Sequence, residues 1–164
     1  MPANPFDYQV YLDIVSALGA IDGTGDYHYD LSGPEQVAQG LYTAGEPPRA
    51  DGPCVAVSPL PGSWSPGPTT GGTNQRGGVL IQAWAPAASS ALSDRMAARF
   101  RLQSDIRQAV KAACMAPANA CYALETLAYD DDHEDGAALG LAIGGAYYEG
   151  RFTYDYPVYW GTSE

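Results

Sequence analysis

The chain has 164 residues, 46% of them hydrophobic, which is the size and composition of one domain with a real core. Its 19 acids outnumber 8 bases, for a net charge of −11. That balance repels phosphate backbones and anionic membrane surfaces, so nonspecific nucleic-acid binding and membrane-surface binding are excluded as expectations. Met1-Pro2-Ala3-Asn4-Pro5 carries neither the basic nor the apolar region of a secretory signal. No stretch approaches the roughly 18 apolar residues of a membrane helix. Cys54, Cys114 and Cys121 are too scattered for a disulfide framework and read as buried thiols of a reducing cytoplasm; a Cys114–Cys121 bridge is allowed by spacing alone.

In chain order, Asn4-Pro5 is a helix start, and Phe6, Val10, Ile14 and Leu18 then recur every four residues. They predict a helix to about Gly19. Ser32-Gly33-Pro34-Glu35 reads as a second start, with Val37, Leu41 and Tyr42 on a short apolar side and Gly45 as its stop. Cys54–Val57 predicts a buried strand. Residues 59–77 hold four prolines and five glycines, with Trp64 the one aromatic side chain. They predict a long loop, either a surface hairpin tip or a docking arm anchored by Trp64.

Val79–Trp84 returns to strand composition, and residues 54–58 and 78–85 are expected to pair across that loop. Ser89 or Ser90 is placed to cap a long helix over about 91–115, with Leu102, Ile106, Ala109, Val110 and Ala113 on its buried face, Ala98 and Met96 extending that face N-terminally, and Pro117 beyond its end. Residues 122–129 read as a strand. Leu139, Leu141, Ile143 and Tyr147 alternate with glycine and alanine, and Glu149-Gly150 reads as a turn. Phe152, Tyr154, Tyr156, Val158 and Trp160 then alternate with Arg151, Thr153 and Asp155, a strand that Pro157 places at a sheet edge. Such an edge calls for a cover, which in an assembling subunit is a neighbour. The expected fold is a single α+β domain over 1–164: a mostly antiparallel sheet with helices packed on one face, and the long Pro/Gly-rich loop 59–77.

No catalytic constellation stands out. His28 and His133 are the only histidines, both in predicted loops, and neither Cys54 nor Cys114 sits where a thiolate is favoured. Nucleophile-elbow, phosphate-loop and dinucleotide motifs are absent from the sequence. The expectation is no enzyme, no cofactor and no metal. Asp130-Asp131-Asp132-His133-Glu134-Asp135 is the run closest to a hard-cation site, but Leu141 stands where an EF-hand loop needs its twelfth-position acid. A solvated acidic turn is the favoured reading, and His28 reads as a loop residue.

Charge distribution is more informative. Arg95, Arg99, Arg101, Arg107 and Lys111 all lie on the long helix, and the pairs Arg95/Arg99 and Arg107/Lys111 each share a side. Either the charge is locally solvated, or the helix meets acidic loops of an adjacent copy, a head-to-tail contact of the kind that closes a ring.

The order of elements, with Val79-Leu80-Ile81-Gln82-Ala83-Trp84-Ala85, the helix ending Asp105-Ile106-Arg107-Gln108-Ala109-Val110, and closing β-structure through Tyr154, Pro157, Tyr159 and Trp160, resembles the tail terminator (tail completion) proteins of tailed bacteriophages. The resemblance covers most of the chain and rests on element order and residue character. It implies a virion subunit, assembled in the host cytoplasm, that forms a ring, hexameric in that family. The ring caps the head-proximal end of the tail tube, ends tube growth and meets the head-to-tail connector protein. DNA would pass through its lumen without sequence-specific contacts. The implied partners are other copies of the chain, the tail tube protein and the connector, with Trp64, Arg95, Arg99, Arg107, Lys111, Tyr154, Tyr156 and Trp160 as interface candidates. The alternatives are a cytoplasmic binding module gripping a peptide or small ligand with the Trp64 loop, and a metal-dependent hydrolase using Asp130–His133.

Overall fold

The computed structural model describes residues 6–43, 45–49, 51–66, 72–116, 123–129 and 145–159, with the side chains of 64–66, 72–74, 123–129 and 156–159 outside that description. The Asn4-Pro5 start, Cys121, the acidic run 130–135, the alternation at 139–143 and Trp160 therefore lie outside the described residues.

Among the described residues, two helices and six strands follow one another: α1 (Phe6–Gly19), β1 (Val37–Gln39), β2 (Cys54–Pro59), β3 (Ser63–Pro66), β4 (Gly72–Pro86), α2 (Leu92–Met115), β5 (Ala123–Tyr129) and β6 (Gly145–Tyr159). The strands form one sheet in the order β1-β2-β4-β6-β5, with β3 paired to the outer half of β4. Every pairing is antiparallel except β1 with β2. The fold is α+β, as the sequence predicts.

Both helices lie on the same face of the sheet. Val10, Tyr11, Ile14 and Leu18 of α1 and Leu102, Ile106, Ala109, Val110 and Ala113 of α2 pack on Val55, Val57, Val79, Ile81, Ala83, Tyr148, Phe152 and Tyr154. These strand residues alternate along each strand, as a half-buried sheet requires. The Tyr11 hydroxyl donates to the Val57 carbonyl at 3.2 Å, tying α1 to β2. Gly77 leaves room for the Tyr154 ring and the Asp7 carboxylate to come together over β4. A Cβ there would stand 2.5 Å from both the ring and the Asp7 carboxylate.

The opposite face is smaller and carries Cys54, Ala56, Trp84 and Tyr147, with Ala38 and Tyr42 against them. Because β1 runs parallel to β2, the chain must cross over between them, and the described residues 40–43, 45–49 and 51–53 belong to that crossing. Gln82 holds it there. Its Oε1 accepts the Tyr42 N–H at 2.9 Å and its Nε2 donates to the Tyr42 carbonyl at 2.7 Å. A side-chain amide thus pairs with a peptide as another strand would, which is how a glutamine only 4% exposed is satisfied.

Four expectations are corrected. The second helix does not form: Glu35 has φ of 68°, and the Gln36 side chain accepts the Gly33 N–H at 2.6 Å, so the chain turns into strand β1. Pairing reaches into 59–77 from both sides, with Ser63–Pro66 opposite Thr73–Arg76. Glu149-Gly150 is not a turn. β6 runs through it, with Gln82 opposite Glu149 and Ile81 opposite Gly150. Finally, β6 is an inner strand over 149–154, flanked by β4 and β5, and pairs with β4 alone from Asp155 to Tyr159. Pro157 falls in that last stretch, where its missing amide proton breaks no ladder among the described residues.

Candidate functional site

Helix α2 divides the candidate residues. Its buried side repeats at 95, 98, 99, 102, 105, 106, 109, 110 and 113. Arg95 and Arg99 belong to this side, 4% and 3% exposed, and Arg95 Nε donates to the Gly145 carbonyl at 3.2 Å. They serve the interior, and their placement on a partner-facing surface is corrected. Tyr154 is corrected likewise: its ring is in the core and its hydroxyl donates to the Asp7 carbonyl at 3.3 Å. Trp64 and Tyr156 occupy one rung, each opposite Gln75 on either side of β4.

The outer side of α2 carries Phe100, Ser104, Arg107, Gln108, Lys111 and Met115, all exposed. Phe100 and Met115 are 55% and 53% exposed. Lys111 has no ion-pair partner among the described residues. Outside α2, Arg49 pairs with Asp51 and Arg76 with Asp155. The helix holds five bases and two acids, and the remainder of the chain three bases and seventeen acids. Arg107, Lys111, Phe100 and Met115 thus make an apolar and basic stripe on an acidic protein.

The second feature was not foreseen. Asp105, on the buried side of α2, has no exposed surface yet is a carboxylate. One oxygen accepts the backbone N–H groups of His28 and Tyr29 at 2.9 and 3.0 Å, and the other meets His28 Nδ1 at 2.8 Å. The Tyr29 hydroxyl donates to the Ala98 carbonyl at 3.2 Å. Burial pushes the Tyr29 hydroxyl pKa up. The 22–30 loop is closed at its ends as well. Asp22 and Asp30 form a β-bridge, and the Leu31 N–H donates to the Ile21 carbonyl at 2.7 Å. The one signal in the sequence is that Asp105 falls on the 102/105/106/109 apolar spacing, where an acid needs partners.

Asp22, Asp26 and Asp30 are exposed on this loop. Asp22 Oδ1 accepts the Thr24 hydroxyl and N–H at 2.7 and 3.0 Å, and Asp30 Oδ1 those of Ser32 at 2.6 and 2.9 Å. These hydrogen bonds hold both carboxyls below the usual carboxylate range.

On the other face, Gln82 Nε2 also donates to the Tyr147 hydroxyl at 3.1 Å, which donates to Glu149 at 2.5 Å. Cys54 is buried there and its thiol pKa is pushed up by burial, away from reactive thiolate. Among the described residues no three metal-ligating side chains cluster. No described helix is long and apolar enough to cross a membrane.

The fold and stripe define a class: a one-sided α+β layer pair whose outer helix presents bases and exposed apolar side chains. Compared with protein-family models and with curated protein sequences, the chain matches none.

Proposed function

We propose that the chain is a structural assembly subunit, similar in role to the tail terminators of tailed phages. Copies close a ring, hexameric by that likeness, on the head-proximal end of the tail tube, end its growth and join it to the head connector. The observation that carries this reading is the outer stripe of α2. A helix already buried on one side presents Phe100 and Met115 with Arg107 and Lys111 on the other. Bases and apolar side chains exposed on one helix side of an otherwise acidic chain offer a surface complementary to an acidic partner. The net charge of −11 also suits a ring wall along which DNA slides without adhering. No residue is assigned a catalytic role.

The test is to mix the purified protein with tubes built from the matching tail tube protein and image them. A ring at one end of each tube, and arrested elongation, are expected. A protein that stays monomeric at high concentration and leaves tube ends bare and growing overturns the proposal.

A further inference from the structure

We infer that the outer face of α2 seats the acidic 22–30 loop of a neighbouring copy. The inference rests on the self-association in the proposed function and names the two surfaces that meet. Arg107 and Lys111 are exposed on α2, and Asp22, Asp26 and Asp30 are exposed on the loop. Opposite charges so arranged steer encounter and fix register.

The loop is built to dock without rearrangement. Ile21 and Leu31 are fully buried at its two ends, the Asp22–Asp30 bridge closes it, and Asp105 pins its middle through His28 and Tyr29. Ordering a flexible loop on binding is a main cost of association, and here the order already exists. Thr24 and Ser32 keep Asp22 and Asp30 anionic, so the charge survives mild acidification.

Geometry also decides that the loop comes from another copy. A copy's own loop is fastened to α2 through Asp105. Asp105 lies two residues before Arg107, roughly 200° around the helix. The clasp therefore holds the loop against the sheet-facing side, and it cannot reach the outer stripe of its own helix. A contact between two different patches on successive copies is heterologous, and heterologous contacts close rings or extend filaments. Phe100 and Met115, at either end of the stripe, add apolar area to the seat.

Charge exchange tests the pairing. One variant carries Arg107→Glu and Lys111→Glu. The other carries Asp22→Asn, Asp26→Lys and Asp30→Asn, with asparagine chosen because its side-chain oxygen still accepts the Thr24 and Ser32 hydrogen bonds. Light scattering is expected to show wild type as a discrete oligomer that loosens in high salt, and each variant alone as a monomer. Mixed in equal amounts, the variants should reassociate, because the acidic helix of one faces the basic loop of the other. Thermal melts report whether each variant is folded. Asp26→Lys alone, at a side chain with no hydrogen bond among the described residues, should weaken association by itself and serves if the triple variant unfolds.

Folded variants that stay oligomeric alone, or stay monomeric when mixed, overturn the inference. In that case tube capping by the wild type still decides the ring reading separately. A wild type that is monomeric at every concentration and salt overturns the inference, and one that also leaves tube ends bare and growing overturns both.

Discussion

Arg95 and Arg99 stand four residues apart on α2, and so do Arg107 and Lys111, yet the two pairs end in opposite environments. The first lies against the sheet, 4% and 3% exposed; the second is exposed. Spacing on a helix fixes which side chains share a side, but not what that side meets. What distinguishes the pairs is the apolar company. Arg95 and Arg99 bracket Ala98 and precede Leu102 on the core register, whereas Arg107 and Lys111 fall outside the buried register that Leu102, Ile106 and Ala109 follow. Arginine tolerates the buried side because its long stem is apolar and its fork reaches acceptors such as the Gly145 carbonyl.

The largest expected effect comes from a third polar residue on the buried side. Asp105→Ala removes the acceptor for two backbone N–H groups and for His28 Nδ1 in one step. Loss of charged hydrogen bonds at a buried site is expected to lower unfolding free energy by about 3 kcal/mol, read from denaturant melts. Local amide exchange should rise over 22–31 first, because that loop loses its anchor. Unchanged protection there would mean that the bridge at Asp22 and Asp30 suffices and that Asp105 is incidental to the loop.

The arginine comparison itself gives the next effect. Arg95→Ala strands the Gly145 carbonyl and empties space beside the sheet, for a loss of about 1–3 kcal/mol. Lys111→Ala should change stability by less than about 0.5 kcal/mol, as surface substitutions do. In self-association the order should reverse, with Lys111→Ala weakening the oligomer. Equal stability losses at both positions would erase the distinction between the two sides.

Much of this architecture was legible. The four-residue recurrence from Phe6 to Leu18 became α1, the Ala98–Ala113 pattern became the buried side of α2, and 54–58 did pair with 78–85. These elements announce themselves because burial is one-sided and periodic. The β1 region failed for a local reason. Ser32-Gly33-Pro34-Glu35 has helix-start chemistry, but a left-handed Glu35 and the Gln36 side chain direct the chain into a short parallel strand. The crossover that follows depends on Gln82, 40 residues from Tyr42, and no local pattern reveals such a partner. Glu149-Gly150 misled because turn composition also suits a strand crossed by a neighbouring aromatic ring. A Cβ on Gly150 would strike the Tyr148 hydroxyl. The clasp between Asp105 and His28 spans 77 residues and was hidden in the same way. An acid on an apolar spacing shows that a partner exists, but not which residue it is.

The smallest effect concerns the acidic loop as a stabilising element, and its sign can be worked out. The Thr24 and Ser32 hydrogen bonds depress the Asp22 and Asp30 pKa values below the ordinary 3.8. Between the depressed folded value and 3.8, the unfolded chain binds more protons than the folded one. The contribution is therefore fully present above the ordinary carboxylate range and disappears as pH falls through the folded values. Both carboxyls face solvent, so screening keeps the effect small. Melts of wild type and of Asp22→Asn with Asp30→Asn should coincide under acid conditions below the carboxylate range and separate slightly above it, with wild type the more stable. Association should fall over the same acid interval, since the protonated loop no longer complements Arg107 and Lys111. If acid weakens association in the asparagine variant as steeply as in wild type, the titrating groups lie elsewhere. The sharp difference drawn between the two sides of α2 would then have to be sought in another contact.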